Sequence, residues 1–173
     1  MITAYLGLGS NLGDRLENLR CAVELIEKQD DVELKATSSA YESAAIGPEQ
    51  PDYVNAAVEI RTNLNADVLL KLCTGIEDEM GRKRTDEKWG PRSIDLDILL
   101  YGDVMVDTPD LKVPHVELVN RAFVLLPLIE LNPELVHPVR NIKLSEFIPL
   151  AEKLNGSAEN IGSFIQKRNR PST

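Results

Sequence analysis

The opening stretch "ITAYLGL", residues 2 to 8, reads as a β-strand, and Gly9 to Gly13 as the loop that ends it. The apolar spacing then lengthens. Leu16, Leu19, Val23 and Ile26 recur at helical intervals and predict an amphipathic helix, with Asp14 and Glu17 at capping-box spacing before it. "VELKATSSAYES", residues 32 to 43, is rich in β-branched and small residues and predicts one more strand. Gly47, Pro48 and Pro51 make "AAIGPEQPDY" a loop. Alternation returns in "YVNAAVEIRTN", with Val54, Ala56, Val58 and Ile60 on one face and Tyr53, Asn55, Ala57 and Glu59 on the other. Asn63 or Asn65 caps a second helix, whose stripe is Val68, Leu69, Leu72, Ile76 and Met80. "WGPRSIDLDILLYG" alternates once more. Ile94, Leu96, Ile98 and Leu100 form its apolar face, and Asp95, Asp97, Leu99 and Tyr101 the other.

A hairpin is expected to turn at Gly102-Asp103. A helix or broken helix follows from Val119 to Leu131 around Pro127, and a last helix capped by Ser145 runs through Leu154. The order β-α-β-β-α-β with added pieces predicts an α+β fold: a ferredoxin-like antiparallel sheet flanked by helices, an α-β-α sandwich. It is not the strict alternation of a doubly wound sheet. One domain is expected over 1–160, with a polar, frayed tail over 161–173.

Composition narrows the function. A chain of 173 residues with 43% hydrophobic content can bury one real core. A net charge of −9 opposes broad binding to nucleic acid, while leaving room for a local basic pocket. No apolar run is long enough to span a membrane, and "MITAYLGLGS" lacks a basic signal-peptide start, so a cytoplasmic location is expected. Cys21 and Cys73 fall in separate predicted helices and read as buried free thiols.

The turn "GLGSNLG" resembles a dinucleotide fingerprint, but its spacing is G-x-G-x-x-x-G and no crossover helix follows the next strand. Gly7 and Gly9 are better read as permitting close packing, and Ser10 and Asn11 as turn and cap residues. The chemistry lies in Asp95 and Asp97. Residues i and i+2 of a strand share a face, so the two carboxylates stand about 6 to 7 Å apart at Cα. Their repulsion on a half-buried sheet must be offset by arginine or by a divalent metal. Mg²⁺ suits the second role, because it takes one or two carboxylates and completes its shell with water and phosphate oxygens. Arg82, Lys83, Arg84, Lys88 and Arg92 make the densest positive segment of this acidic chain. Arginine matches phosphate oxygens with two parallel hydrogen bonds. Trp89, the lone tryptophan, offers a lid or a stacking surface for a flat ring.

"KWGPRSIDLDIL", residues 88 to 99, resembles the signature of the 6-hydroxymethyl-7,8-dihydropterin pyrophosphokinase family. "AYLGLGSNLGD", "GPEQPDYVNAAV" and "VPHVELVNRAFVLLPL" resemble that family's opening strand, pterin loop and Pro-His and Asn-Arg-x-Phe segments, in order, as far as about Pro138. The resemblance implies a ferredoxin-like kinase of folate biosynthesis. Such an enzyme moves the β,γ-pyrophosphoryl group of its co-substrate ATP to the hydroxymethyl oxygen of the dihydropterin, and AMP leaves. It implies that Asp95 and Asp97 hold two Mg²⁺ ions, that Asp97 accepts the hydroxyl proton, and that Arg82 and Arg92 stabilise the transferring group. It places Glu77, Arg84, Trp89, Arg92, Ile98, His115 and Arg121 on ATP. It places Ser43, Ala44, Ile46, Tyr53, Asn55, Trp89 and Phe123 on the pterin, with Tyr53 and Phe123 as the aromatic sandwich and Asn55 as the edge-reading amide. His137 has no such support and is expected at the surface.

The chain departs from the family pattern in four places. "SAAIG" replaces a common Thr-Pro pair, Thr74 stands for a glutamine, and Asp110 and Val116 replace a cationic and an aromatic neighbour of ATP. The expected partners are the small-molecule substrates alone, with no nucleic acid and no membrane. A monomer is expected, with association with other folate enzymes as the further partner. A nicotinamide-dependent oxidoreductase and an RNA-binding module on the same fold are the rival readings. The first rests on the glycine turn. The second requires a basic sheet with exposed aromatics, which the Asp-x-Asp strand opposes.

Overall fold

The computed structural model describes residues 1–81 and 93–165. Strand β1 (Ile2–Ser10) leads into helix α1 (Arg15–Glu27). Asp14 caps the helix, its Oδ1 accepting from the Glu17 N–H at 3.1 Å. The Glu17 carboxylate turns instead to Arg20, whose Nε donates to it at 2.8 Å, so the reciprocal half of the capping box gives way to an ion pair one turn on. Strands β2 (Val32–Thr37) and β3 (Ala40–Ser43) occupy the segment expected to be one strand. The break falls at Ser38-Ser39. Ser38 Oγ accepts from the Ala57 N–H at 2.9 Å, and the N–H and hydroxyl of Ser39 donate to the Glu130 carboxylate, each at 2.7 Å. Serine side chains here compete with the ladder for backbone groups.

Strand β4 (Tyr53–Thr62) is followed by helix α2 (Ala66–Glu79). Asn65 is its cap, with Oδ1 accepting from the Val68 N–H at 2.9 Å. Strand β5 (Asp95–Tyr101), the short strands β6 (Val106–Asp107) and β7 (Lys112–Val113), and helix α3 (Ala122–Leu131) come next. A 3-10 turn (Leu144–Phe147), helix α4 (Ile148–Asn155) and strand β8 (Glu159–Gly162) complete the chain. The main sheet runs β5-β1-β4-β3-β8, with β2 also paired to β4, and every pairing is antiparallel. This is the ferredoxin-like order, with β8 added outside β3.

The sheet separates two cores. On one face Leu6, Leu8, Val58, Ile60, Leu96 and Ile98 pack with Leu19, Ile26, Leu69 and Ile76 of α1 and α2. On the other, Tyr5, Ala57, Leu99 and Leu100 meet Leu125 and Leu128 of α3 together with Leu144, Phe147 and Ala151. Cys73 is buried and Cys21 partly so, both as free thiols in α2 and α1.

Several expectations need correction. The β5 alternation does not persist to its end: the register with β1 shifts between Tyr5 and Leu6, so that Leu6 faces Ile98 while Tyr5 faces Leu100. Leu99 is the extra residue of this bulge. Leu100 therefore joins Leu99 on the α3 side, and Tyr101 turns to the α2 side, where its hydroxyl donates to the Leu64 carbonyl. The turn at Gly102-Asp103 forms, but β6 pairs with β7 rather than folding back on β5, whose partner is β1. Ser145 lies inside the 3-10 turn, and α4 begins after Phe147 without a side-chain cap. His137 is buried, not at the surface. Its Nδ1 accepts from the N–H groups of Val139 and Arg140, and its ring meets Phe147 edge-on. Strand β8 crosses position 160, and Phe164 beyond it is buried in the first core. The tail from residue 166 lies outside the described residues.

Candidate active site

Pairing of β1 with its two neighbours sets the site. Gly9 lies opposite Asp95 of β5 and Asn55 of β4; Gly7 lies opposite Asp97 and Ala57. The middle strand thus carries no side chains beside Asp95, Asp97 and Asn55. The result is a trough, with the Asp95 and Asn55 backbones about 10 Å apart across it, two strand spacings. A Cβ placed on Gly9 would come within 2.9 Å of Asn55 Oδ1 and 3.6 Å of the Tyr53 ring. On Gly7 it would meet Leu99 Cδ1 at 3.2 Å. The glycines are therefore the floor of a site, and the close-packing reading of "GLGSNLG" holds.

Above this floor opens a cleft. Ser43, Ala44, Ile46, Tyr53, Asn55 and Phe123 line it, and so do Asp95, Asp97, His115 and Arg121. Residues expected on the pterin and residues expected on the nucleotide and metal therefore share one space. Asn55 is buried, and its Nδ2 donates to Ser43 Oγ at 3.3 Å. Leu99 and Val124 add apolar wall. Alternation already puts Leu99 on the aspartate face, though the sequence gives it no role there; Val124 reads as part of an apolar helix and reaches the cleft only through the placement of α3. Ser10 and Asn11 also differ from their reading as cap residues. Ser10 Oγ accepts from Asn18, and the Asn11 amide donates to Gln50 and Pro51.

The acidic and basic groups meet at the β5 end. His115 is anchored by its own N–H, which donates to the Leu99 carbonyl at 3.0 Å. Its Nδ1 accepts from the Glu117 N–H at 3.1 Å. The ring proton of the neutral form is then on Nε2, which lies 3.8 Å from Asp97 Oδ2. Burial, seconded by the nearby Arg121 charge, holds the His115 pKa below the ordinary histidine value against the opposing pull of Asp95 and Glu117. Arg121 stands at the start of α3, its Nε 3.7 Å from Glu117 Oε2 and its guanidinium 5.7 Å from the Phe123 ring centroid. Burial lowers its pKa, and Glu117, Asp97 and Asp95 offset that loss.

Glu77 and Ile98 do not line the cleft. The Ile98 side chain is in the core beneath α1 and α2. Glu77 is buried on α2, and its Oε1 accepts from the Leu96 N–H at 2.8 Å, so a carboxylate holds the strand between its two aspartates. Arg82, Arg84, Trp89 and Arg92 lie outside the described residues.

The family model for 7,8-dihydro-6-hydroxymethylpterin-pyrophosphokinase (HPPK) matches residues 5–133. The chain belongs to this family. It is therefore an enzyme, a diphosphotransferase. It is 46% identical over 139 residues to the 2-amino-4-hydroxy-6-hydroxymethyldihydropteridine pyrophosphokinase of Haemophilus influenzae, covering 80% of this chain and 86% of that one. The protein of the same name from Aquifex aeolicus is 44% identical over 150 residues, covering 86% and 92%. That of Bacillus subtilis is 47% identical over 129 residues, covering 74% and 77%. Among solved structures, wild-type Plasmodium falciparum HPPK-DHPS with SDX-DHP superposes with a TM-score of 0.64 at 18% identity, over 90% of this chain and 47% of that one. An HPPK-DHPS in complex with substrates gives a TM-score of 0.68 at 13% identity, over 86% and 43%. The chain thus spans about half the length of those two-part proteins, and at such identities the likeness speaks for the fold alone. HPPK membership also removes the basis of the nicotinamide reading, whose glycines form the cleft floor.

Proposed function

We propose that this HPPK transfers the β,γ-pyrophosphoryl group of ATP to 6-hydroxymethyl-7,8-dihydropterin in folate biosynthesis, with Mg²⁺ required. The observation that carries the proposal is the shared cleft. One trough is lined by Tyr53, Asn55 and Phe123 together with Asp95, Asp97, His115 and Arg121, and the Arg121 guanidinium stands over the Phe123 ring. A pterin is flat, with a guanine-like donor-acceptor edge, so it calls for aromatic faces and an amide. Asn55 supplies both an acceptor and a donor, and Gly9 leaves room for it to lie flat.

In the transfer, the hydroxymethyl oxygen forms a bond to Pβ, and the bond from Pβ to the oxygen bridging it to Pα breaks. That oxygen leaves with AMP, and the hydroxyl proton is lost. Asp97, with its side chain about half exposed, takes that proton in this reading. Neutral His115 presents Nε2–H towards Asp97 and the phosphate side, and Arg121 adds fixed positive charge there. Arg82 and Arg92 act on the transferring group, and Arg84 and Trp89 close over the substrates, in keeping with the family resemblance.

Asp95 and Asp97 suit Mg²⁺. Among the described residues no three His, Cys, Asp or Glu side chains gather into a protein cage, and two carboxylates are the protein share usual for Mg²⁺ held with a polyphosphate. Bound there, two such ions would neutralise phosphate charge. The enzyme acts as a cytoplasmic monomer on small molecules. No helix among the described residues is long and apolar enough to cross a membrane.

The test is an assay with dihydropterin, ATP and Mg²⁺ that separates AMP from ADP. AMP is expected, and Asp97→Ala is expected to abolish its release by a protein that keeps its circular dichroism spectrum. Formation of ADP, or unchanged turnover in that variant, would overturn the proposal.

A further inference from the structure

Helix α4 lies beyond residue 133, where the family match ends. Its Ala151 packs into the second core, and none of its side chains lines the cleft. One contact nevertheless carries it to the site. Asn155, the last residue of α4, donates from Nδ2 to the Asn120 carbonyl at 2.7 Å. The way the helix ends sets that donor in place. Gly156 follows with a φ of 80°, a conformation that favours glycine, and its N–H donates to the Glu152 carbonyl at 2.9 Å. The helix therefore stops with Asn155 beside the turn over 115–120.

The peptide that begins at the Asn120 carbonyl ends at the N–H of Arg121. That residue starts α3 with extended backbone, φ −130° and ψ 115°, and without a side-chain cap. Its own carbonyl accepts from the N–H groups of Val124 and Leu125, each at 3.1 Å. Arg121 thus sits between two carbonyls, one bonded within α3 and the other bonded to α4. The turn before it is braced from within. The Leu118 N–H donates to the His115 carbonyl at 3.0 Å, the Asn120 N–H to the Glu117 carbonyl at 3.1 Å, and the Asn120 amide to the Glu117 carboxylate at 3.3 Å. Leu118 and Val119 seat the turn in the second core. Apolar burial has no direction, whereas a hydrogen bond to a carbonyl orients the peptide that bears it.

The Arg121 side chain is only 14% exposed, held near the Glu117 carboxylate and over the Phe123 ring. In so closed a place, a tilt of the preceding peptide displaces the charge itself. We infer that Asn155 is a positioning residue for the nucleotide: through the Asn120 carbonyl it aims Arg121 into the cleft, touching neither substrate. The inference rests on the function proposed above. A ligand's apparent affinity falls in proportion to the fraction of protein that is competent to bind it. Asn155→Ala removes the donor from a partly exposed helix end, so the variant is expected to fold. The dissociation constant of α,β-methylene-ATP with saturating Mg²⁺, measured by calorimetry, is expected to rise about fivefold, the weight of one neutral hydrogen bond. Asn155→Asp keeps the size of the side chain but turns an oxygen towards the carbonyl, and is expected to cost at least as much.

Two further readouts separate positioning from support of the fold. Dihydropterin affinity, measured with the nucleotide analogue saturating, is expected to stay within about twofold, because Tyr53 and Asn55 stand on β4 and Phe123 within α3. In an Arg121→Ala background, adding Asn155→Ala is expected to change the nucleotide constant by less than about twofold, since the group that it positions is gone. A fivefold loss that persisted in that background would overturn the inference, as would an equal loss for the pterin. If the wild-type protein bound no nucleotide analogue, the functional proposal would fall with it. Wild-type binding matched by both folded Asn155 variants would sink the positioning role alone.

Discussion

Replacing Gly9 by alanine adds one methyl group to the floor of the cleft. The backbone of β1 accepts it, since Gly9 is not among the glycines with positive φ. The trouble is Asn55, whose Oδ1 would lie 2.9 Å from the new carbon. That is closer than a real Cβ contact, so the amide must move. It is buried and bonded to Ser43 Oγ, so it cannot swing out to water without loss. An off-rotamer shift of about 30° costs roughly 0.5 to 1.5 kcal/mol, and overpacking a tight site costs roughly 1 to 3. The variant should still fold, with a melting temperature lowered by about 2 to 10 °C for a chain of this size.

The effect on function is larger than that on stability. Under the proposed function, a displaced Asn55 would no longer meet the pterin edge with both its acceptor and its donor. Two neutral hydrogen bonds are worth about 2 kcal/mol, or roughly a thirtyfold rise in the pterin KM. Gly7→Ala is the control. Its Cβ would meet Leu99 Cδ1 at 3.2 Å, the end of a flexible apolar side chain that can yield by a few tenths of an ångström. Steady-state kinetics with each substrate varied in turn make the comparison. Gly9→Ala should raise the pterin KM well above that of Gly7→Ala and leave the ATP KM nearly unchanged. Equal pterin constants for the two variants would refute the assignment of Gly9 as the space for Asn55.

Two further predictions concern groups away from the floor. Glu77→Ala removes the acceptor for the buried Leu96 N–H and should cost about 1 to 3 kcal/mol, while Glu77→Gln keeps a carbonyl acceptor and should recover part of it. Thermal unfolding that ranks the two alike, at the wild-type value, would remove that role. Burial, with Arg140 adding to it, holds the His137 pKa below the ordinary value, so the unfolded chain takes up its proton first as pH falls. Stability is therefore at its full level above the unfolded histidine value of about 6.5, and declines as pH drops below it towards the folded value. His137→Asn can still accept from Val139 and Arg140 but does not titrate, so denaturant titrations between about pH 7 and pH 5 should show a flatter decline than wild type.

What could be read along the chain was whatever depends on neighbours in sequence. Asp14 and Asn65 cap their helices because a side chain three residues ahead of an N–H can reach it. The two faces of β4 sort as their alternation predicts, with Val54, Val58 and Ile60 in one core and Tyr53 and Asn55 at the cleft. What escaped depends on partners distant in sequence. Ser38 and Ser39 break a strand because Ala57 and Glu130 stand ready to bond them, from 19 and 91 residues away. The Leu99 bulge exists only in relation to β1. His137 looked like a surface residue because its burial comes from Phe147 and from a turn that its own ring nitrogen closes. The Asn11 amide could not be assigned to the loop until the two were seen side by side.

The bulge also explains how one edge strand can serve two masters. Up to Ile98, β5 buries every second side chain under α1 and α2 and turns Asp95 and Asp97 to the cleft. Were the alternation to continue, Leu100 would enter the first core and Tyr101 would face α3. The extra residue reverses this, so Leu99 and Leu100 together seal the second core just beyond the aspartates. The same edge would expose unpaired backbone groups, and two of them are taken up by residues near the site. The Leu96 N–H goes to Glu77, and the Leu99 carbonyl receives the His115 N–H. The aspartates are thus carried by a strand fixed from three directions, by β1, by α2 and by the segment bearing His115. Under the proposed function, in which these carboxylates share cations with a polyphosphate, a spacing set before the ligand arrives is a gain, because ordering that is already complete costs nothing on binding.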